Sequence, residues 1–231
     1  TKKLKKSRIL ERELNVDLTA KGRGGIKKGE SLWDFLIFKS DVKKKFTHQL
    51  HLTIGVGETH VNANLTIPHG VKGRFKKNFK KLSWKEFRKI IYTIGKNYKS
   101  YFGNSEGFKP LIATVQRRYP SQSAMPIHDG TIKFDIRTAF DDLSSNLKPN
   151  QRTQEEWLKA VFEIVKNKKS NIQFAIGAEF FYNKYTMINN KDADAVVCKS
   201  FLACKPLIEY LSKWKKKLNL EILPRSEREL N

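Results

Sequence analysis

Between Gln49 and Val56 the apolar residues Leu50, Leu52, Ile54 and Val56 alternate with His51 and Thr53. After a Gly57-Glu58-Thr59 turn, Val61, Ala63, Leu65 and Ile67 alternate with Asn62, Asn64 and Thr66. Successive side chains of a strand point to opposite faces, so these two stretches predict an antiparallel hairpin with one buried face. Leu32 to Lys39 is apolar in both phases (Trp33, Phe35 and Ile37 against Leu36 and Phe38), the pattern of an interior strand. Further strands are predicted over Leu111 to Tyr119 and Thr131 to Phe140, separated by a loop ending in Asp129-Gly130. Another spans Asn171 to Tyr182, with Ile172, Phe174, Ile176, Ala178 and Phe180 as its apolar phase.

Between the strands the period lengthens to three and four. Ser83-Trp84-Lys85-Glu86 has the spacing of a capping box and opens a helix whose stripe is Trp84, Phe87, Ile91, Ile94 and Tyr98, up to Gly103. A second box, Thr153-Gln154-Glu155-Glu156, opens a helix to about Lys169. Asp192 or Asp194 caps a last helix with the stripe Val197, Phe201, Cys204, Ile208 and Leu211, which Pro206 should kink or break. A short helix is predicted from Leu4 to Leu14, running into the glycine-containing segment Lys21 to Gly29. Paired strands with helices between the pairs predict an α+β fold: a largely antiparallel β-sheet with helices packed on one face. The expected organisation is a basic N-terminal arm over residues 1–30 and a single domain over residues 31–231.

Charge changes the picture most. The 231 residues include 46 Lys+Arg against 23 Asp+Glu, a formal net charge of +23. Such a surplus repels itself in a compact chain unless a polyanion neutralises it, and nucleic-acid phosphates reward clustered bases through counterion release. A hydrophobic fraction of 39% argues for a packed globule rather than a basic tail. No apolar run reaches the length of a membrane span and the basic start is not followed by an apolar stretch, so neither a membrane partner nor a signal peptide is expected. Cys198 and Cys204 are expected to be buried free thiols, which suits the cytoplasm.

The densest basic run is Lys72 to Lys81, continuing to Lys85, Arg88 and Lys89. On a helix Phe75 and Phe79 share one side and face the core, which leaves the lysines opposite. Arg74, Lys76, Lys77, Lys80, Lys81 and Arg88 are therefore the expected phosphate contacts, joined by Arg117, Arg118 and Lys133. Strand phasing predicts one open polar sheet face carrying His51, Thr53, Asn62, Asn64, Gln116, Arg118, Lys133, Asp135, Arg137, Gln173 and Glu179.

Catalytic patterns are sparse. A Mg²⁺ nuclease of the restriction type needs an Asp and a later Asp/Glu-x-Lys, and Asp129 with Asp135-Ile136-Arg137 puts an arginine, which cannot act as a base, in the lysine's place. The candidate catalytic set is His51 for proton transfer, Asp135 and Glu179 as bases or Mg²⁺ ligands, and Arg118 and Arg137 as charge stabilisers. No zinc spacing, P-loop or hydrolase elbow is present, so no resident cofactor is expected.

Size, charge and strand content resemble small bacterial restriction or phage-defence components in general build. The reading is a nucleic-acid-binding protein, with DNA ahead of RNA because RNA-module signatures are missing. A nuclease acting from the polar sheet face and a structural subunit of a nucleoprotein assembly are the alternatives, and protein partners or self-association remain open.

Overall fold

The computed structural model describes residues 8–21, 32–39, 48–117, 126–137, 140, 154–166, 172–189 and 191–213. The chain is α+β. Its sheet is seven-stranded and antiparallel, in the order β1-β2-β3-β4-β7-β5-β6. The strands are β1 (Leu18–Lys21), β2 (Leu32–Phe38), β3 (His51–Val56), β4 (His60–Ile67), β5 (Phe108–Arg117), β6 (Pro126–Asp135) and β7 (Ile172–Phe181). The predicted hairpin is β3–β4, in register from His51 opposite Thr66 to Val56 opposite Val61. The doubly apolar stretch is β2, and β1 and β3 flank it as its pattern requires.

The helices are α1 (Ile9–Leu14), α2 (Gly73–Lys81), α3 (Trp84–Phe102), α4 (Gln154–Lys166), α5 (Ala193–Ala203) and α6 (Lys205–Ser212), with a 3₁₀ turn at Thr186–Asn189. They pack against one phase of the sheet. Leu52, Ala63, Leu65, Ile112, Phe174, Ile176 and Phe180 meet Phe75, Phe79, Phe87, Ile91, Ile94, Phe162, Phe201 and Leu207 in one core cluster. Phe75 and Phe79 are thus core anchors. Tyr98 lies wholly inside that core, and its hydroxyl contacts Ser200 Oγ at 3.0 Å. The Ser83 capping box forms as predicted: Glu86 N donates to Ser83 Oγ at 3.2 Å, and Ser83 N to Glu86 Oε2 at 2.9 Å. Pro206 splits the last helix into α5 and α6, standing in the first turn of the second, where a missing N–H costs no hydrogen bond. The second capping box falls on Thr153, outside the described residues.

Two stretches differ from expectation. Part of the expected N-terminal arm belongs to the packed body: Leu10, Leu14 and Leu18 are buried in the core, and β1 pairs with β2 from Leu18 opposite Phe38 to Lys21 opposite Phe35. Asp129 and Gly130 lie within β6, not in a loop, and the strand ends at Asp135 rather than Phe140. β6 is an edge strand of this sheet, where a proline and a glycine that would weaken an interior strand are tolerated. No described helix is long and apolar enough to cross a membrane.

Candidate nucleic-acid interface

α3 is amphipathic. Phe87, Ile91, Ile94, Tyr98 and Phe102 are buried against the sheet. Lys85, Lys89, Tyr92, Lys96 and Lys99 recur at intervals of four, three, four and three on the opposite side, and all five are exposed. Tyr92 is 52% exposed, and Lys96 Nζ rests 4.7 Å above its ring. The one acid of α3 is Glu86, and it is committed to the capping box. The hydrogen bonds from Ser83, backbone first and side chain second, hold its carboxyl below the ordinary range, so it stays charged where it favours the helix N-terminus. Between residues 71 and 102 there are eleven bases and one acid. That segment alone carries +10 of the chain's +23, since 11 − 1 = 10.

The bases predicted as phosphate contacts divide into two groups. Lys77 and Lys81 of α2 are exposed. Arg74 instead donates from Nη2 to the Lys39 carbonyl at 3.2 Å and lies against the Phe75 ring. Lys76 donates to the Val165 carbonyl at 3.4 Å, and Lys80 is half-buried. Arg88 holds Glu155 of α4 in a two-pronged ion pair, Nε at 2.7 Å and Nη2 at 3.2 Å, so much of its charge is spent within the fold. The α2 bases were weighed by sequence density, whereas the helix turns part of them toward the body. The Arg117 backbone closes β5, and Arg118 lies outside the described residues.

The sheet face opposite the helices is neither fully polar nor fully open. His51, Thr53, Asn62, Asn64, Lys133, Asp135, Gln173 and Glu179 share its phase, as predicted, but so do Phe35, Ile37, Leu111 and Ala175. His51, Thr66, Phe35, Leu111, Ala175 and Glu179 are buried. Gln116 does not belong to this face: it pairs with Ile172, on the helix-side phase. Leu111 and Val115 lie in one phase of β5 and Ile112 in the other, so apolar alternation along this strand does not tell its two faces apart.

Glu179 is the centre of this face. Its Oε1 accepts from Lys133 Nζ at 2.5 Å and lies 3.6 Å from His60 Nε2, while Asn62 and Lys109 are its neighbours on the flanking strands. Asp135 is instead paired with Arg137, whose Nη2 lies 3.0 Å from Oδ2. The two carboxylates therefore belong to separate ion pairs. Their strands are separated by β5, and Asp135 shares the rung of Gly177, two residues along β7 from Glu179. Among the described residues no group of three or more His, Cys, Asp or Glu side chains could hold a metal ion.

His51 sits on the Thr66–Ala175 rung, four residues along β7 from Glu179. That is roughly 13 Å along the strand. Its Nδ1–H donates to the Gln49 carbonyl at 2.9 Å, and burial pulls its pKa down to about 4, so the ring is neutral near pH 7. The expected catalytic set is thus spread over three places: His51 by Phe35, Glu179 with Lys133 and His60, and Asp135 with Arg137 at the sheet edge. His60, which opens β4 directly after the polar turn, is outside the expected catalytic set. The two cysteines are free: Cys204 is buried, with burial pushing its pKa up to about 12, and Cys198 is half-buried.

Comparison with known proteins gives no match: no family model fits the chain, and no curated protein is similar to it in sequence.

Proposed function

We propose that this protein binds nucleic acid, with the exposed face of α3 as its principal phosphate-contacting surface. The observation that carries the reading is the row Lys85, Lys89, Lys96 and Lys99 on that face, against which the helix sets one acid, Glu86, held in the Ser83 capping box. Solvated surface lysines are ordinarily interspersed with glutamates at helical spacing, which gives pairwise support without a net field. A row of one sign over about four turns creates instead a positive ridge whose self-repulsion is relieved by a polyanion. Lys77 and Lys81 add two exposed ammoniums from α2. Backbone contacts of this kind confer affinity without sequence information, so binding is general rather than site-specific at this surface. DNA is the first polymer to test, RNA the second. Two free thiols suit a reducing compartment such as the cytoplasm.

The experiment is charge reversal. Lys85→Glu with Lys89→Glu should weaken binding to every nucleic acid by at least tenfold while leaving the unfolding profile intact, because both side chains are exposed. Unchanged affinity in that variant would reduce the ridge to a solvated helix face.

A further inference from the structure

A cleft of about 410 Å³ opens beside the ridge, between the C-terminal half of α3 and the strand ends of β5 and β6. Its floor is apolar: Phe108, Pro110 and Ile136, with Phe108 packed into the aromatic cluster of Tyr98, Phe102 and Phe180. Gly95 helps to set its width, since a Cβ there would come within 3.1 Å of Ile136 Cγ2. The rim is cationic. Lys96, Lys99 and Arg137 line it, Asn104 adds an amide, and no acidic side chain is among its described lining residues. Arg137 gives two of its N–H groups to Asp135, which leaves three of the five donors of its guanidinium in a side chain that is 49% exposed. Tyr92 stands at the mouth with its ring more than half in solvent. The α3 C-terminus carries a partial negative charge that Lys99, in its last turn, offsets. Lys96 is left to favour an anion, and Arg137, whose charge Asp135 offsets, adds its remaining N–H donors.

A flat apolar floor, an exposed ring at the mouth and a rim of cations together match one chemical class: an aromatic heterocycle bearing phosphate. Resting on the reading of the ridge above, we propose that this cleft takes a single unpaired nucleotide of the bound strand. The base lies over the Tyr92 ring and the Phe108–Ile136 floor, and its phosphates lie against Lys96 and Arg137. A base inside a duplex is stacked on both faces and cannot enter without being extruded, which costs free energy that an unpaired strand does not spend. The cleft therefore turns a general phosphate-binding ridge into one that prefers single strands.

The test measures fluorescence anisotropy of a short labelled strand, alone and annealed to its complement, as DNA and as RNA, at one salt concentration. Wild type should bind the single strand about tenfold tighter than the duplex, as one stacked base accounts for. Tyr92→Ala should erase that preference, and Tyr92→Phe, which keeps the ring, should retain it. Equal affinity for both forms in wild type, or an undiminished preference in Tyr92→Ala, overturns the cleft proposal and leaves the ridge standing. If neither polymer binds, the ridge reading fails, and titration with AMP then decides the cleft separately. Amide shifts confined to Gly95, Asn104 and Ile136 support it, and no shift at millimolar AMP overturns it.

Discussion

The ammonium of Lys133 and the carboxylate of Glu179 meet at 2.5 Å although β5 lies between their strands. The side chains reach diagonally over the Lys109–Leu111–Ala113 row, and they tie the edge strand β6 to the centre of the sheet. Glu179 is 8% exposed, whereas the Lys133 side chain remains 43% exposed. Removing one partner of a fully buried pair costs about 3–5 kcal/mol, and solvent access to the lysine reduces that here. Lys133→Ala should therefore lower stability by about 1–2 kcal/mol in urea unfolding. Glu179→Gln in the same background should recover part of the loss, because no buried charge is then left alone. Additive costs in this double-mutant cycle would show that the pair is not coupled.

His51 supplies a pH dependence with a defined sign. Its folded pKa of about 4 lies below the ordinary imidazole value of 6.5, so the unfolded chain binds the proton more readily. The contribution is complete above pH 6.5 and declines as pH falls toward 4, by roughly 3 kcal/mol at most. His51→Gln should flatten the stability profile across that interval. A wild-type midpoint that stays constant from pH 7 to pH 4 contradicts the burial of a neutral imidazole.

Gly177 sits where two strands come too close for a side chain. A Cβ there would fall 2.1 Å from the Ala63 carbonyl oxygen and 2.2 Å from Asn64 Oδ1. Gly177→Ala should cost about 2 kcal/mol through forced displacement of β4 against β7, visible as a lower unfolding midpoint. A wild-type midpoint would mean that the β4–β7 ladder has slack in the middle of the sheet.

Much of the fold was legible because it is local. Leu50 to Val56 and Val61 to Ile67 show a period of two with little interruption, and Ser83 with Glu86 marks a helix start that needs no tertiary information. The insertion of β7 between β4 and β5 had no such signal, since strand order follows from which apolar faces complete one another across long separations. β1 escaped notice because four residues beside a lysine-rich, glycine-rich stretch show no measurable alternation. The site was less legible than the fold. Phasing put Lys133, Asp135 and Glu179 on one face correctly, yet phase says nothing about partners, and each carboxylate found its own cation. The row from Lys85 to Lys99 was present in the sequence but overshadowed by the denser run before it, part of whose bases the fold turns inward. The cleft joins Lys96 to Arg137 from distant parts of the chain, and no spacing rule reveals such a meeting.

The central claim is that a helical ridge of lysines binds polyanions by counterion release, and salt dependence tests it most directly. The association constant for a DNA fragment, taken from anisotropy over a series of salt concentrations, should fall linearly in a log–log plot. Each phosphate neutralised adds about 0.9 to the slope on duplex and about 0.7 on single strands. Wild type should show a slope reflecting several phosphates, and Lys85→Glu with Lys89→Glu should reduce it by about two. Absence of binding at low salt, or an affinity indifferent to salt, contradicts the account.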